Sequence, residues 1–319
     1  MSTVIGSLMT LTKWVAVFAL AWIAGYGFNA AALDTDVSWT RSLYLQKRQI
    51  AESIADAPRV LLFGGSGVHY SVDAIAVEQE AGVPSVNFGL HAGLGLNPIL
   101  QVALDTMRAG DIVVLIPEYG ILADTAGGGW LSGMFGAAIG RPGHGGRGAM
   151  DTSKEVFRAG VVNQMSLGKG VFVTLFGAAG RGRPVVDARG STAIFLDGVA
   201  APSVVNGQVS PLSIRTLDAF ARESRSRGAQ LLIAMPWYLI APDDGASVES
   251  ARNYVAALRN VAPVLCDDEM NLKTDRSLFS DTFYHLNERS RRMRSVELAR
   301  QIQAALGRLG PPAVAGSAR

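Results

Sequence analysis

The chain has a single cysteine, Cys266, so it forms no intramolecular disulfide, and cysteine usage fits a cytosolic or a periplasmic protein equally well. Cys266 ends an apolar run, where a buried thiol is the simple reading. Histidine is also scarce. The four residues His69, His91, His144 and His285 include no pair at metal-ligand spacing with a carboxylate or cysteine nearby, so no metal site is expected. Charge is low at 18% of residues, and the net charge of +2 is too small to make nucleic acid the main partner. The one Gly-rich turn that follows an apolar run, Gly64-Gly65-Ser66-Gly67, lacks the full dinucleotide fingerprint and is followed by no Walker lysine, so no nucleotide cofactor is expected. No internal repeat is visible.

What the chain does have is apolar bulk, 49% of 319 residues, enough for a sizeable core in one large domain or two small ones. Part of that bulk lies in an uninterrupted stretch. From Trp14 to Leu33 there is no charged side chain, about the length a helix needs to cross a bilayer. Lys13 precedes it and Asp34 and Asp36 follow, a bias that leaves the N-terminus in the cytoplasm. Residues 1–36 therefore read either as an uncleaved anchor, with Trp22, Tyr26 and Phe28 suited to a membrane interface, or as a signal segment cut after Ala30-Ala31-Ala32. Both readings place the remaining domain outside the cytoplasmic membrane, in the periplasm or extracellular space.

Beyond residue 37 the pattern becomes an alternation. A helix over Ser38–Ile54 precedes apolar strands at Arg59–Phe63, Pro84–Phe88, Asp111–Ile116, Gln230–Met235 and Pro263–Leu265. Helices are expected over Val72–Glu80, Asn97–Met107, Ile214–Arg227, Val248–Asn260 and Asn287–Leu306. Asp73 is placed to cap the first of these. Continuous apolar strands alternating with helices predict an α/β fold whose mostly parallel sheet of about five strands is covered on both faces. Such sheets bind ligands beyond the carboxyl ends of their strands. Residues 120–206 break the rhythm. Glycine dominates Gly127–Gly148, and Val171–Phe176 is apolar before turning basic at Arg181 and Arg183. This is an irregular insertion carrying its own small hairpin or helix, or else a lid or a surface docking on a membrane partner. The tail 307–319 reads as disordered.

The chemistry gathers at the first strand end and near the C-terminus. Ser66 lies on the Gly-rich turn after Arg59–Phe63, and its own amide is placed to meet an oxyanion. Asp281 and His285 lie just before the last helix. On a loop or a single turn the carboxylate can reach the imidazole Nδ1 and leave Nε2 for Ser66, which supplies nucleophile, base and orienting carboxylate. The plainer alternative makes Asp281 a helix cap and His285 an ordinary surface residue. Glu118 and Tyr119 follow the third strand, and Trp237 and Tyr238 the fourth. Glu118 can orient a substrate hydroxyl or stand as a solvated carboxylate. Trp237 and Tyr238 can stack on a sugar ring or pack in the core.

Phe63-Gly-Gly-Ser66, Val86-Asn87-Phe88-Gly89 and Asp281-Thr-Phe-Tyr-His285-Leu-Asn287, in that order, resemble the spaced blocks of the SGNH/GDSL hydrolase superfamily. The similarity is greatest to membrane-anchored bacterial members akin to the D-alanyl-lipoteichoic-acid transfer protein and the alginate O-acetylation proteins. The resemblance implies a three-layer α/β/α sandwich over residues 37–306, Ser66 as nucleophile, Asp281 and His285 as its partners, and a backbone oxyanion donor at Gly89. It also implies an ester or acyl group on a cell-envelope or exported polysaccharide as substrate; Glu118, Tyr119 and Trp237, from their place after the third and fourth strands, are the candidate contacts. No cofactor follows from it. Two departures stand out. The third block normally supplies an asparagine to the oxyanion hole, and here the strand ends Ile116-Pro117-Glu118-Tyr119, leaving Tyr119 or His91 as substitutes. The Asp-to-His spacing is one residue longer than usual. The expected function is a serine esterase or O-acyltransferase. The alternative is a catalytically inactive accessory protein serving polysaccharide export or a membrane acyltransferase.

Overall fold

The computed structural model describes residues 2–55, 58–162, 168 and 184–309. These residues fall into two compact units, one built from Met1–Ser42 and Trp130–Arg183, the other from Leu43–Gly129 and Pro184–Arg319. The irregular stretch expected over 120–206 thus contributes its middle to the unit that contains the N-terminus. Val171–Phe176, Arg181 and Arg183 lie outside the described residues.

The smaller unit contains helix α1 (Ser2–Ala30), the start of α2 (Thr35–Ser53), and two helices from the Gly-rich stretch, α7 (Ser132–Ala138) and α8 (Gly148–Ala159). Over Ser7–Ala30, α1 is long and apolar enough to cross a membrane. α7 packs against both α1 and α8. Ser132 donates to Glu155 at 2.6 Å, and the same carboxylate pairs with Arg158 at 2.8 Å. The insertion thus carries its own helices, as one reading of its sequence expects, and they form a pair with a polar clasp.

The larger unit is α/β. Strands β1 (Val60–Gly64), β2 (Ser85–Gly89), β3 (Ile112–Leu115), β4 (Gln230–Ala234) and β6 (Val264–Leu265) form a five-stranded sheet in the order β2-β1-β3-β4-β6. Every pairing in it is parallel. A separate two-stranded parallel pair, β5 (Tyr238–Leu239) with β7 (Leu272–Lys273), was not anticipated, because two-residue strands leave no periodicity to read. Alternate strand positions point the same way, so Val60, Leu62, Ile112, Val114, Leu232 and Ala234 share one core with Val77 of α4 (Ala74–Ala81) and with Leu298 and Ile302 of α11 (Glu288–Leu309). Two further helices, α5 (Leu96–Thr106) and α9 (Pro211–Ser226), pack on β1 and β4 respectively, and α10 (Gly245–Arg259) contacts β6.

The helix expected over Val72–Glu80 is present and begins two residues later, at Ala74. A short helix α3 (Ser66–Ser71) ends at Val72, which is extended, and Asp73 then caps α4 by accepting from the amides of Ile75 and Ala76. At the other end of the chain α11 continues through Gly307 to Leu309, so the first three residues of the expected tail are helical. Residues 310–319 lie outside the described set.

At the sheet edge opposite the strand carboxyl ends, Arg59 and Asp111 bind through two contacts, Nε to Oδ1 at 2.9 Å and Nη2 to Oδ2 at 2.5 Å. Both side chains are buried, and Arg59 also donates to the Ala51 carbonyl at 2.7 Å. Removing one partner strands a charge in the core. Asp111→Ala is expected to destabilise the fold by about 3–5 kcal/mol, measured as a lowered urea midpoint at constant slope.

Candidate active site

Ser66, Asp281 and His285, more than two hundred residues apart in sequence, meet at the carboxyl end of β1. β1 delivers the chain to the Gly64-Gly65 turn, and Ser66 opens α3, where backbone N–H groups have no intrahelical acceptor. The turn is tight. A Cβ on Gly65 would run into the Glu118 carboxylate and lie 2.8 Å from Cα of Ala92, so only glycine fits. His285 sits on the loop before α11. Its Nε2 is 3.0 Å from Ser66 Oγ and its Nδ1 is 2.9 Å from Asp281 Oδ1. With Asp281 ionised, Nδ1 carries the proton and donates it to the carboxylate, and Nε2 accepts from the serine hydroxyl.

The loop that carries the imidazole is held to the helix that carries Ser66. Ser71, the last residue of α3, donates through Oγ to the Tyr284 carbonyl at 2.8 Å and accepts from the Leu286 amide at 3.0 Å. The His285 amide donates to Thr282 Oγ1 at 3.1 Å, and its carbonyl accepts from the Ser280 amide at 2.9 Å. Tyr70 and Tyr284 flank the ring, with centroids 4.6 and 4.7 Å away. Burial pushes the His285 pKa below its ordinary value, while the hydrogen bond to Asp281 works the other way. The imidazole is thus neutral, and able to act as a base, at neutral pH.

Glu118 is at the site but does not face a substrate. It is buried, and accepts from the amides of Gly67 at 2.8 Å and Gly65 at 3.3 Å, the two residues that flank Ser66. Burial raises its pKa, and those two amides oppose the rise. Glu118 is therefore the strut of the turn that carries Ser66, in place of the solvated or substrate-facing carboxylate expected from its position.

Three further residues do not take the oxyanion or substrate-contact roles considered for them, and for Trp237 the alternative of core packing holds. The Gly89 amide donates to Asn87 Oδ1 at 2.8 Å, so it is not aimed at an incoming oxyanion. Gly89 is glycine for another reason, since a Cβ there would overlap the His69 backbone. Tyr119 is 3% exposed and packs edge-on against Tyr238 and Tyr254, centroids 5.2 and 5.0 Å away, as part of the core. Trp237 is likewise buried, with Leu239, Phe279 and Leu286, and Lys273 lies over its ring at 5.1 Å. Neither ring is open to a sugar. His91, the other substitute considered for the oxyanion asparagine, accepts from the Gly93 amide through Nδ1 at 2.9 Å and caps a short turn.

Sequence reading missed two groups. The first is Tyr284, whose ring lies over Gly67 and edge-on to His285 and whose side chain neighbours Ser66. Burial, helped by the charge of Glu118, raises its pKa, and the contact with Ser66 opposes this. The phenol keeps its proton and remains a donor. Its signal was an aromatic residue directly before the histidine. The second is Lys47. It is fully buried, donates to Gly89 O at 2.6 Å and Asn87 Oδ1 at 3.0 Å, and lies 3.2 Å from His69 Nδ1. Burial holds Lys47 and His69 well below their ordinary pKa values. Asn87 completes the group by donating to the carbonyls of Val68 and Val72, which fastens β2 to α3. A lone lysine on an amphipathic helix carries no sequence mark of this role.

Among the described residues, no group of three or more His, Cys, Asp or Glu side chains is placed to hold a metal ion. What the arrangement can do is transfer a proton from Ser66 to His285 while Asp281 fixes the ring. Comparison with described protein families and with curated proteins finds no match to this chain.

Proposed function

We propose that the protein is an extracytoplasmic serine esterase or O-acyltransferase of the SGNH type, held at the membrane by α1 and acting on ester groups of a cell-envelope or exported polysaccharide. The single observation that carries this reading is the continuous relay from Ser66 Oγ through His285 to Asp281. The block order in the sequence supports the family, and with it a three-layer arrangement around the parallel sheet.

In the proposed cycle Ser66 Oγ attacks the ester carbonyl as its proton passes to His285 Nε2. Asp281 stabilises the imidazolium that forms. The Ser66 amide and the Tyr284 hydroxyl hold the developing oxyanion. The tetrahedral intermediate collapses, the alkoxy group leaves with the proton from His285, and an acyl-serine remains. Water or a sugar hydroxyl then attacks the acyl carbonyl as His285 takes its proton, the second tetrahedral intermediate collapses, His285 returns that proton to Ser66 Oγ, and the free acid or the new ester leaves. Side chains and the Ser66 backbone amide supply every step.

Tyr284 replaces the missing asparagine donor in this scheme. Tyr284→Phe is expected to lower kcat by about 10²–10³-fold with little change in KM, since the hydroxyl contributes mainly in the transition state. Steady-state kinetics on a simple acetyl ester give the split. Equal losses in binding and turnover would remove Tyr284 from the scheme.

One observation favours the second reading, an accessory protein that binds without turnover. The Gly89 and Gly67 amides are both occupied by side chains, which leaves fewer backbone donors for an oxyanion. A fluorophosphonate probe separates the two. Labelling that disappears in Ser66→Ala and falls in His285→Ala supports the enzyme. A folded wild type that takes no label supports the accessory role.

A further inference from the structure

The smaller unit contains a surface that the catalytic reading leaves unused. Over Ser7–Ala30 α1 is apolar, and over residues 7–21 it is exposed, with Phe18 71% and Leu20 66% uncovered. α8 ends against it. The last carbonyls of a helix have no intrahelical donors and usually turn to water. Here α1 supplies the donors. Trp22 Nε1 donates to Phe157 O at 3.0 Å, and Asn29 Nδ2 donates to Ala159 O and to Val161 O, each at 3.0 Å. The chains cross at glycines. A Cβ on Gly25 would overlap the Gly160 carbonyl, and a Cβ on Gly160 would overlap the Trp22 indole. Close approach through small residues, with backbone groups satisfied by side chains, is what packing requires where no water reaches.

The outward side of α8 and the turn after it is apolar as well. Met150, Phe157 and Val161 recur at helical spacing and are exposed, Met150 at 74% and Phe157 at 66%. An apolar groove runs between Phe18, Trp22 and Phe28 on one side and Phe157, Val161 and Val162 on the other. Trp22 precedes the end of α1 by eight residues, about 12 Å along the axis. On a helix about 36 Å long crossing a core about 30 Å thick, the groove opens at hydrocarbon depth.

We infer that the end of α8 is embedded in the membrane leaflet at the C-terminal side of α1, and that the groove between them takes the acyl chain of a phospholipid. Lys154 lies one turn before Phe157 and pairs with Asp151 at 3.1 Å. Its long apolar stem lets the ammonium stay at headgroup level while the residues after it go deeper. The inference rests on α1 spanning the bilayer and uses none of the groups around Ser66, so it stands or falls apart from the proposed activity.

The full chain is reconstituted in phosphatidylcholine nanodiscs in a Cys266→Ser background, with single spin labels at Phe157→Cys and Val161→Cys. Phe18→Cys serves as the reference within α1 and Ser226→Cys as the reference in water. Collision with oxygen and with a water-soluble nickel chelate is then compared. The expected result is that labels at 157 and 161 favour oxygen over nickel at least tenfold more than the label at 226 does, matching the label at 18. Nickel access at both sites, or water-like behaviour at 18, would overturn the inference. Low access to both reagents would also overturn it, because a second copy of the chain would then cover the face. Both labelled positions are exposed, so substitution there leaves the packing against α1 in place.

Discussion

Ser66→Ala is expected to lower ester turnover by at least about 10⁴-fold, with the melting temperature of the wild type retained. The size follows from what the hydroxyl does. Without it no acyl-enzyme forms, and the residual rate is limited to what the oxyanion donors and substrate binding give to direct attack by water. The unchanged stability follows from the surroundings. Ser66 is half-buried, and the turn that carries it is held by Glu118 through the amides of Gly65 and Gly67, none of which needs the serine oxygen. His285 loses one hydrogen bond but keeps Asp281 and its place between Tyr70 and Tyr284. Thermal melting of the variant beside single-turnover kinetics tests both halves. A loss of only a fewfold would mean that another group carries the reaction.

Asp281→Asn carries the second largest expectation, a fall in kcat of about 10⁴-fold with the fold intact. The amide can turn its Nδ2 toward His285 Nδ1. The imidazole proton then moves to Nε2, which faces Ser66 and can no longer accept from it. The pH profile gives a readout that a structural role would not move. In the wild type, burial lowers the His285 pKa and Asp281 raises it, burial being the larger cause. The acid limb of kcat/KM is therefore expected below the ordinary histidine value of about 6.5. With the carboxylate gone only burial remains, so the limb of the residual activity moves further toward acid. A limb that stays in place or moves toward alkali would show that Asp281 does not bear on the imidazole charge.

Parts of this arrangement were legible in the sequence for definite reasons. Strands such as Val60–Gly64 and Ile112–Leu115 are short, continuous and apolar because they are buried throughout, and the helices between them show one apolar stripe. Ser66, Asp281 and His285 could be named because each residue type is chemically restricted and each falls at the edge of an element. The surroundings were not legible. Glu118 reads the same whether it faces solvent or braces a turn, and the difference depends on where β3 delivers it relative to Gly65 and Gly67. Tyr119 and Trp237 stand at strand ends, as substrate-binding aromatics often do, yet both are claimed by the core through contacts with Tyr254 and Phe279 that are remote in sequence. Lys47 sits on a helix of ordinary amphipathic character. Only the fold brings it to the Gly89 carbonyl. A small helix or hairpin was expected in the Gly-rich insertion, but the bounds and pairing of α7 and α8 were hidden by its glycines, which lower helix propensity and here admit close contacts with α1 and between the two helices.

The most direct test of the central claim is to trap the acyl-enzyme. The purified chain is mixed with an activated acetyl ester, quenched in acid within the first turnover, and digested for peptide mass spectrometry. The account predicts one acetyl group per chain on the peptide containing Ser66, its yield sharply reduced in His285→Ala and absent in Ser66→Ala. An adduct on any other residue, or a folded chain that hydrolyses the ester while Ser66 stays unmodified, would contradict it.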